Sequence, residues 1–357
     1  MGQNRLIYLD LLRIASAFFV ILIHVSASGL HEANVGTYAW NVCNVYDGIS
    51  RFCVPVFVMI SGAMLLDPKK EYTLKKLYGS KIVRIIIAVV FWGTIYALSP
   101  LCEKTTESAG AAIYQLLYRA VTGYFHMWFL FMICGLYMIT PVLRRIVTDK
   151  KTMKYFLALS FAYSAVVMFA LVALEELEGV NILSNLALEV LGYITDNMKL
   201  HFLLGYTFYF VMGYYIKEYG FNSKISKWVC VAGVLSLVFI IAGTYGISVY
   251  KNETVEILYE YNYLPVCILS VAIFLFFKNY ISKLCFGEKA LKIIAFIAKH
   301  SFGIYLVHML VFKLLPLKLN SFNVLLSVPV ITVLVFVISL AITFIIGKIP
   351  VLKKYVI

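Results

Sequence analysis

Long apolar runs recur from end to end of the chain, and short polar stretches separate them. Most runs have about 17–25 residues, enough for an α-helix to cross a hydrocarbon layer of roughly 30 Å, and the run 201–216 is short for a straight span. This pattern predicts an all-α integral membrane protein, a polytopic bundle of ten spanning helices. The predicted spans are residues 6–29, 45–66, 82–99, 125–146, 155–174, 201–216, 228–248, 261–277, 300–316 and 324–347.

The polar stretches between the runs carry an uneven distribution of charge. If the N-terminus is cytoplasmic, the cytoplasmic stretches hold 23 of the 31 Lys and Arg residues, and the opposite side holds 6. This asymmetry follows the positive-inside rule and predicts that both termini are cytoplasmic. The net charge of +13 is then a basic cytoplasmic face that meets anionic lipid, and it does not indicate nucleic acid binding.

The composition supports a membrane protein. The chain is 62% hydrophobic and 14% charged, whereas soluble domains are roughly half apolar and a quarter charged. We expect residues 1–357 to form one transmembrane domain, with no separate soluble domain and no cleaved signal peptide. The seven cysteines are scattered, and no His/Cys spacing resembles a metal site, so we predict no metal. The acidic stretch 174–199 is expected outside, either capping a site or solvated.

Three ionisable residues interrupt the first run, "YLDLLRIASAFFVILIH". A charge within a spanning helix costs about 2.5–3.5 kcal/mol, so such residues usually face the interior of a bundle. At 100° per residue, Asp10, Arg13 and His24 fall within about 60° of one another. Asp10 can pair with Arg13, and His24 lies about 16 Å further along the helix. We interpret these residues as one inward stripe; a structural ion pair and a hydrogen-bonded histidine are the alternative.

Two further histidines lie within apolar runs. His126 begins the fourth run, in "FHMWFLFMICG", at a depth similar to that of His24. His308 lies within "SFGIYLVHMLVF", with Ser301 and Tyr305 on the same face of the helix. Taken alone, His308 is also typical of a core histidine that is bonded to a neighbour. We expect no catalytic role for His31, His201 and His300.

The second run, "DGISRFCVPVFVMISGAMLL", combines a charge with small residues. Arg51 lies toward its outer end, and Pro55 can kink the helix and free a backbone carbonyl. The adjacent Ser61 and Gly62, near the inner end, allow close approach of another helix or of a ligand. Helix packing alone explains the two small residues but leaves the charge of Arg51 unexplained.

Four elements, in this order, resemble those of the acyltransferase family 3 membrane enzymes. "LDLLR" followed by His24 resembles the Arg-X10-His element of the family, and "VPVFVMISGAML" its Ser-Gly motif. "HMWFL" is similar to the His-x-Trp element, and "SFGIYLVH" to the late Ser…Tyr-Leu-x-His element. The elements are spread over residues 8–308. Arg51 with "VPVFVMISG" resembles the branch of surface-polysaccharide O-acetyltransferases, which includes the enterobacterial common antigen enzyme.

The resemblance implies an O-acyltransferase in the bacterial cytoplasmic membrane. The acyl group, usually acetyl, would pass from cytosolic acetyl-CoA to a hydroxyl of an envelope glycan or its lipid-linked precursor. A sugar hydroxyl is a poor nucleophile, and histidine titrates nearest neutral pH, so His24 is the expected general base. His126 or Trp128 would donate to the oxyanion. Arg13, held by Asp10, and Lys299 would attract the polyanionic CoA. The expected substrate-binding residues are Arg51, Ser61, Gly62, Trp128, Ser301, Tyr305 and His308.

Other interpretations of the same residues stay open. Direct transfer and transfer through an acylated His24 both fit this chemistry. A proton-coupled transporter also places charges and histidines in its spans, and relatives that resemble racemase membrane domains are associated with amino-acid uptake. However, the chain shows no inverted repeat with broken helices. A non-catalytic scaffold for a polysaccharide synthase would tolerate replacement of Arg13 and His24.

Overall fold

The computed structural model describes residues 6–70, 73–99, 108–175, 182–198, 205–316, 319 and 322–356. Within this part of the chain the backbone is helical almost throughout and forms no strand, which confirms the predicted all-α fold class. In chain order the helices are α1 (Ile7–Glu32), α2 (Tyr38–Ser50), α3 (Cys53–Leu65), α4 (Leu74–Lys76), α5 (Val83–Leu98), α6 (Ala109–Thr122), α7 (Trp128–Ile146), α8 (Lys150–Ser160), α9 (Met168–Glu175), α10 (Ile182–Met198), α11 (Thr207–Glu218), α12 (Ser223–Lys251), α13 (Leu264–Asn279), α14 (Glu288–Leu314), α15 (Val324–Ile346) and α16 (Pro350–Tyr355).

Nine helical stretches of the described chain are long and apolar enough to cross a bilayer. Hydropathy predicted ten, and the difference lies at the run 201–216. Of this run the structure describes residues from 205 onward, where α11 has 12 residues. At 1.5 Å per residue this helix is about 18 Å long, shorter than a hydrocarbon layer of roughly 30 Å, and the tenth span stays a prediction. Residues 199–204, with His201, lie outside the described residues, and the orientation of the termini stays a prediction.

Two stretches that were predicted to lie outside the membrane contain helices. α6 lies within the predicted loop 100–124 and packs against α5. A Cβ atom on Gly93 would lie 2.6 Å from the carbonyl oxygen of Ala120, so glycine permits this close crossing. α6 ends at Gly123, whose φ of +74° is unfavourable for other residues. α10 lies within the acidic stretch 174–199.

Outward-facing apolar side chains are typical of helices that are solvated by lipid. α12 and α15 expose large apolar residues on their outer sides, where a soluble helix would carry polar ones. The chain is thus a multi-pass membrane protein. Examples of these exposed residues are Trp228, Val234, Leu235, Val337 and Ile345.

Contacts between helices divide the chain into two compact units, each built from separate segments. The first unit comprises Met1–Ala33, Lys69–Pro141 and Cys285–Ile357, and the second comprises Asn34–Pro68 and Val142–Leu284. The prediction of a single transmembrane domain is not tested by this division and stays a prediction.

The first unit is built around α1, which packs against α14 and α15. α14 and α15 approach closely because a Cβ atom on Gly303 would lie only 2.2 Å from Cγ2 of Thr343. The indole of Trp92 in α5 donates a hydrogen bond of 3.2 Å to the carbonyl oxygen of Val356. These contacts bring helices from the start, middle and end of the chain together.

The second unit is held by close helix crossings. α11 packs on α3, and α12 packs on both α13 and α2. A Cβ atom on Gly62 would lie 1.7 Å from the carbonyl oxygen of Phe210, and one on Gly213 would lie 2.0 Å from that of Met59. Small residues let two backbones touch in this way, so both glycines are required for the α3–α11 crossing.

Candidate active site

The ionisable stripe that was predicted for α1 belongs to the first unit. Asp10 is buried, and its Oδ1 lies 3.7 Å from Nη1 of Arg13, which is an ion pair one turn apart. The Arg13 side chain keeps 32% of its surface exposed. His24 lies three turns further along α1 and is half-buried.

Three imidazole rings from distant parts of the sequence form one cluster. His24 comes from α1, His126 from the 3-10 turn Phe125–Met127, and His308 from α14. The ring centroid of His308 lies 5.3 Å from that of His24 and 4.9 Å from that of His126. His24 and His126 are 6.3 Å apart. Among the described residues, no group of three His, Cys, Asp or Glu side chains is arranged to hold a metal ion.

One hydrogen bond fixes the tautomer of His308. Its Nδ1 lies 2.6 Å from the carbonyl oxygen of Tyr305. A carbonyl oxygen can only accept, so Nδ1 carries the proton in the neutral ring, and Nε2 presents a lone pair. The Nε2 atom is buried and has no hydrogen-bond partner among the described residues. His308 is therefore arranged to accept a proton or a hydrogen bond inside the cluster.

His126 is the most unusual member of the cluster. Only 3% of its surface is exposed, and neither ring nitrogen has a hydrogen-bond partner among the described residues. An unsatisfied polar atom in a protein interior costs about 1–3 kcal/mol, and such atoms are rare. A ring that keeps an open N–H donor in a buried position is suited to bind a group that arrives with the substrate.

A tyrosine that sequence reasoning missed inserts into α14 beside His308. The Tyr96 hydroxyl donates to the carbonyl of Leu306 at 2.9 Å and accepts from the backbone N–H of Leu310 at 3.1 Å. Such an insertion opens the helical ladder at that turn. Its ring stacks on Tyr124, with ring centroids 4.8 Å apart. The sequence signal for this contact is Tyr96 itself. Its hydroxyl lies within an apolar run and needs a hydrogen-bond partner once it is buried.

Aromatic side chains enclose the cluster. Tyr305, predicted to bind substrate, donates its hydroxyl proton to the backbone carbonyl of His126 and so fixes the 3-10 turn. Phe125 packs edge-on against His24, with centroids 5.4 Å apart. Rings on several sides exclude water and strengthen electrostatic interactions within the cluster. The surrounding rings belong to Tyr96, Tyr124, Phe125, Phe129 and Tyr305.

The remaining predicted residues of the first unit have different surroundings. Trp128, at the start of α7, keeps 41% of its surface exposed. Ser301 is buried, and its hydroxyl donates to the carbonyl of Ala298 on its own helix at 2.9 Å. Lys299 lines a basic cavity between α14 and α15. The histidine cluster thus gathers His24, His126, His308 and Tyr305, and the roles predicted for Trp128, Ser301 and Lys299 stay predictions.

Three predicted substrate-binding residues, Arg51, Ser61 and Gly62, belong to the second unit. The Arg51 guanidinium donates to the carboxylate of Asp47, which is fully buried, and lies 4.0 Å from the ring centroid of Tyr259. Glu256 approaches to 4.0 Å. The charge of Arg51 is therefore balanced within its own unit, and Gly62 is explained by the α3–α11 crossing. A substrate role for these residues stays a prediction.

Comparison with known families assigns the chemistry of this chain. The model of the acyltransferase domain of family 3 matches residues 6–348. The chain belongs to the acyltransferase 3 family. The predicted resemblance is thus confirmed at the level of the family, and the polysaccharide branch stays a prediction. No curated protein and no solved structure matches this membrane acyltransferase at a significant level.

Proposed function

We propose that this acyltransferase moves an acetyl group from cytosolic acetyl-CoA to a hydroxyl of a cell-envelope glycan or its lipid-linked precursor. Its place would be the bacterial cytoplasmic membrane. The family supplies the reaction class, acyl transfer. The observation that supports the rest is the convergence of three imidazoles, two of which keep buried ring nitrogens without a partner among the described residues.

His24 is the proposed general base because it is the most accessible of the three rings. Its ring takes the proton of the acceptor hydroxyl while the hydroxyl oxygen forms a bond to the thioester carbonyl carbon. The carbon–sulfur bond then breaks, and the imidazolium returns the proton to the leaving thiolate of CoA. General-base catalysis of this kind contributes about 10²–10⁴-fold to a rate.

His308 and His126 have different roles in this step: His308 orients the base, and His126 stabilises the oxyanion. The ring centroid of His308 lies 5.3 Å from that of His24. Its Nε2 atom, which holds a lone pair, can accept an N–H from His24 and so orient that ring. His126 has an open N–H that can stabilise the oxyanion formed on the thioester carbonyl. Because both rings are buried, these hydrogen bonds form in a medium of low dielectric constant and are stronger than in water.

Arg13 is the proposed contact for the anionic donor. Asp10 holds its guanidinium from one side, and its remaining exposed surface can pair with a phosphate. Arg13 and His24 are eleven residues apart on one helix, a rise of about 16 Å. The long pantetheine arm of CoA would cover that rise. The exposed face of Trp128 is suited to pack on an acceptor sugar.

Replacement of His24 tests the assignment. We expect His24→Ala to slow release of free thiol from acetyl-CoA, in the presence of envelope glycan extract, by about 10² or more. Acetyl-CoA should still raise the unfolding temperature of the purified variant, because Arg13 is intact. Mass spectrometry of envelope glycans from the same cells should show loss of the added acetyl mass.

The matched control is His31→Ala, because His31 lies on the same helix and is exposed. It should behave as wild type in all three measurements. Wild-type turnover in His24→Ala would show that the catalytic assignment is wrong. Unchanged envelope glycans in cells that lack the protein would reject the proposed acceptor class.

A further inference from the structure

A basic cavity of about 470 Å³ lies in the first unit, where α14, α15 and α16 meet the beginning of α5. Gly303 and Thr343 form part of its wall at the close crossing of α14 and α15. None of the described residues that line it is acidic. Five basic residues line it: Arg84, Lys299, His300, Lys348 and Lys353.

Three lysines of the cavity have no carboxylate partner in the part of the chain that the structure describes. Among the described residues, none of Lys299, Lys348 and Lys353 forms an ion pair with an Asp or Glu side chain. Lys81, one turn before Arg84, experiences the repulsion of Arg84 and Arg13. Positive charge thus continues from the cavity toward α1. Like charges held together in a partly apolar setting favour binding of an anion.

Two of the side chains that line the cavity, His300 and Lys348, contact aromatic rings. Nδ1 of His300 lies 2.7 Å from the carbonyl oxygen of Phe296, and the two rings are in contact at 4.6 Å between centroids. Because the carbonyl can only accept, Nδ1 of the ring carries a proton. The Lys348 ammonium lies 4.8 Å above the ring centroid of Phe344. The cavity therefore has positioned donors in addition to net charge.

We propose that this cavity binds a phosphate group. Several cations around one concave surface form charge-assisted hydrogen bonds to phosphate oxygens. Two sources carry this chemistry: the nucleotide end of CoA, which rests on the proposed function, and the headgroup of an anionic phospholipid at the predicted cytoplasmic surface. Lys299 and His308 are separated by a rise of about 14 Å along α14. A donor held here by its phosphates would therefore extend its arm along α14 toward the histidine cluster.

Paired variants test the proposal on the full-length protein purified in detergent. Lys348→Gln with Lys353→Gln removes two charges from the cavity. Lys292→Gln with Lys354→Gln removes two charges from α14 and α16, two helices that also carry cavity residues, at positions that do not line the cavity. The probes are adenosine 3′,5′-bisphosphate, measured by titration calorimetry, and phosphatidylglycerol, measured as adducts in native mass spectrometry.

We expect the lining pair to weaken binding of one probe about tenfold or more, since charge-assisted hydrogen bonds are lost. The control pair should change neither probe. Loss of adenosine 3′,5′-bisphosphate binding identifies CoA as the source of the phosphate, and loss of phosphatidylglycerol adducts identifies lipid. If the lining and control pairs behave alike with both probes, the cavity is not a phosphate site.

The outcomes also separate this proposal from the proposed function. Acetyl transfer by the wild-type protein, with no difference between the two pairs, would reject the cavity and leave the function intact. Lipid adducts that depend on the lining pair, without any binding of adenosine 3′,5′-bisphosphate by wild type, would support the cavity and count against the CoA donor. If the lining pair unfolds at a lower temperature than wild type, the neighbours Lys353→Gln and Lys354→Gln replace the pairs.

Discussion

At the residue scale, charged side chains within the helices are neutralised by nearby partners of opposite charge and covered by aromatic rings. Asp47 and Arg51 lie four residues apart around the end of α2, so the pair forms on one face of the helix. The cation lies just beyond the C-terminus of α2, where the helix dipole favours it. Tyr259 covers the guanidinium with its ring. The pair shows how a buried carboxylate and an aromatic ring offset the cost of an arginine inside a membrane protein.

Removal of the Asp47 charge should therefore destabilise the second unit. In Asp47→Asn, the buried Arg51 loses its nearest counter-charge, and we expect a loss of about 3–5 kcal/mol in the free energy of unfolding. The measurement is the thermal or denaturant unfolding of purified protein. Glu288→Gln, in the exposed pair with Lys292, is the control and should change little. Equal stability of Asp47→Asn and wild type would mean that Arg51 is balanced by other groups.

At the scale of single helices, α14 is adapted to carry the histidine cluster. The Tyr96 hydroxyl bonds both the carbonyl oxygen of Leu306 and the backbone N–H of Leu310, two groups that pair with each other in a regular α-helix. His308 lies within that turn. A neighbouring helix thus sets the local geometry of a candidate catalytic side chain, and the same bond ties α5 to α14.

Tyr96→Phe should disturb this turn. Loss of the hydroxyl leaves two buried backbone groups without their partner, at an expected loss of about 1–3 kcal/mol in stability. The transfer rate should fall as well, because the turn that carries His308 relaxes. Unfolding temperature and thiol release measure the two effects. Tyr114→Phe, at an exposed position of α6, is the control; a Tyr96→Phe protein with wild-type stability and rate would show that the inserted hydroxyl is dispensable.

Helix crossings give a second prediction at this scale. Gly62→Ala would place a methyl group 1.7 Å from the carbonyl oxygen of Phe210, so α3 and α11 must move apart. We expect a loss of about 1–3 kcal/mol or more. Gly135→Ala in α7 has no atom within 4 Å of the added carbon and should gain about 0.5–1 kcal/mol. Unfolding measurements compare the two, and equal stability of both variants would contradict the crossing.

At the scale of the whole molecule, the distribution of basic residues remains the basis for orientation. Lys and Arg are concentrated in the stretches predicted to be cytoplasmic, including those that carry the cavity cations. The basic cavity and the exposed part of Arg13 would therefore face the compartment that contains CoA. The number of spans decides whether the two termini lie on the same side of the membrane, because only an even number places both on one side.

Reporter fusions test the orientation. A fluorescent protein at the C-terminus should fluoresce, and alkaline phosphatase fused there should be inactive, because the C-terminus is predicted to be cytoplasmic. Fusions within the predicted outer stretch 249–260 should give the reverse pattern. An active phosphatase at the C-terminus would place that end of the chain, with Lys348 and Lys353 of the cavity, on the outer side and would contradict the predicted orientation.

The sequence alone determined the helical class, the position of nearly all spans and the individual candidate residues. These features depend on local properties, namely the length of apolar runs and the cost of a charge in hydrocarbon. For the run 201–216 the described residues form a 12-residue helix, and its assignment as a tenth span stays a prediction, because hydropathy reports burial in protein and burial in lipid alike. α11 is apolar since it is buried against α3.

The tertiary structure decided what the candidate residues do together. The sequence placed His24, His126 and His308 in separate runs, and only packing brought their rings within 7 Å. The hydrogen bond from Tyr305 to His126 joins residues 179 positions apart, and that from Tyr96 to Leu306 joins residues 210 apart. The local pattern of apolar and polar residues does not predict contacts between residues so far apart in the sequence. They arise because each polar group, once buried, must find its partner among whichever helices the fold places beside it.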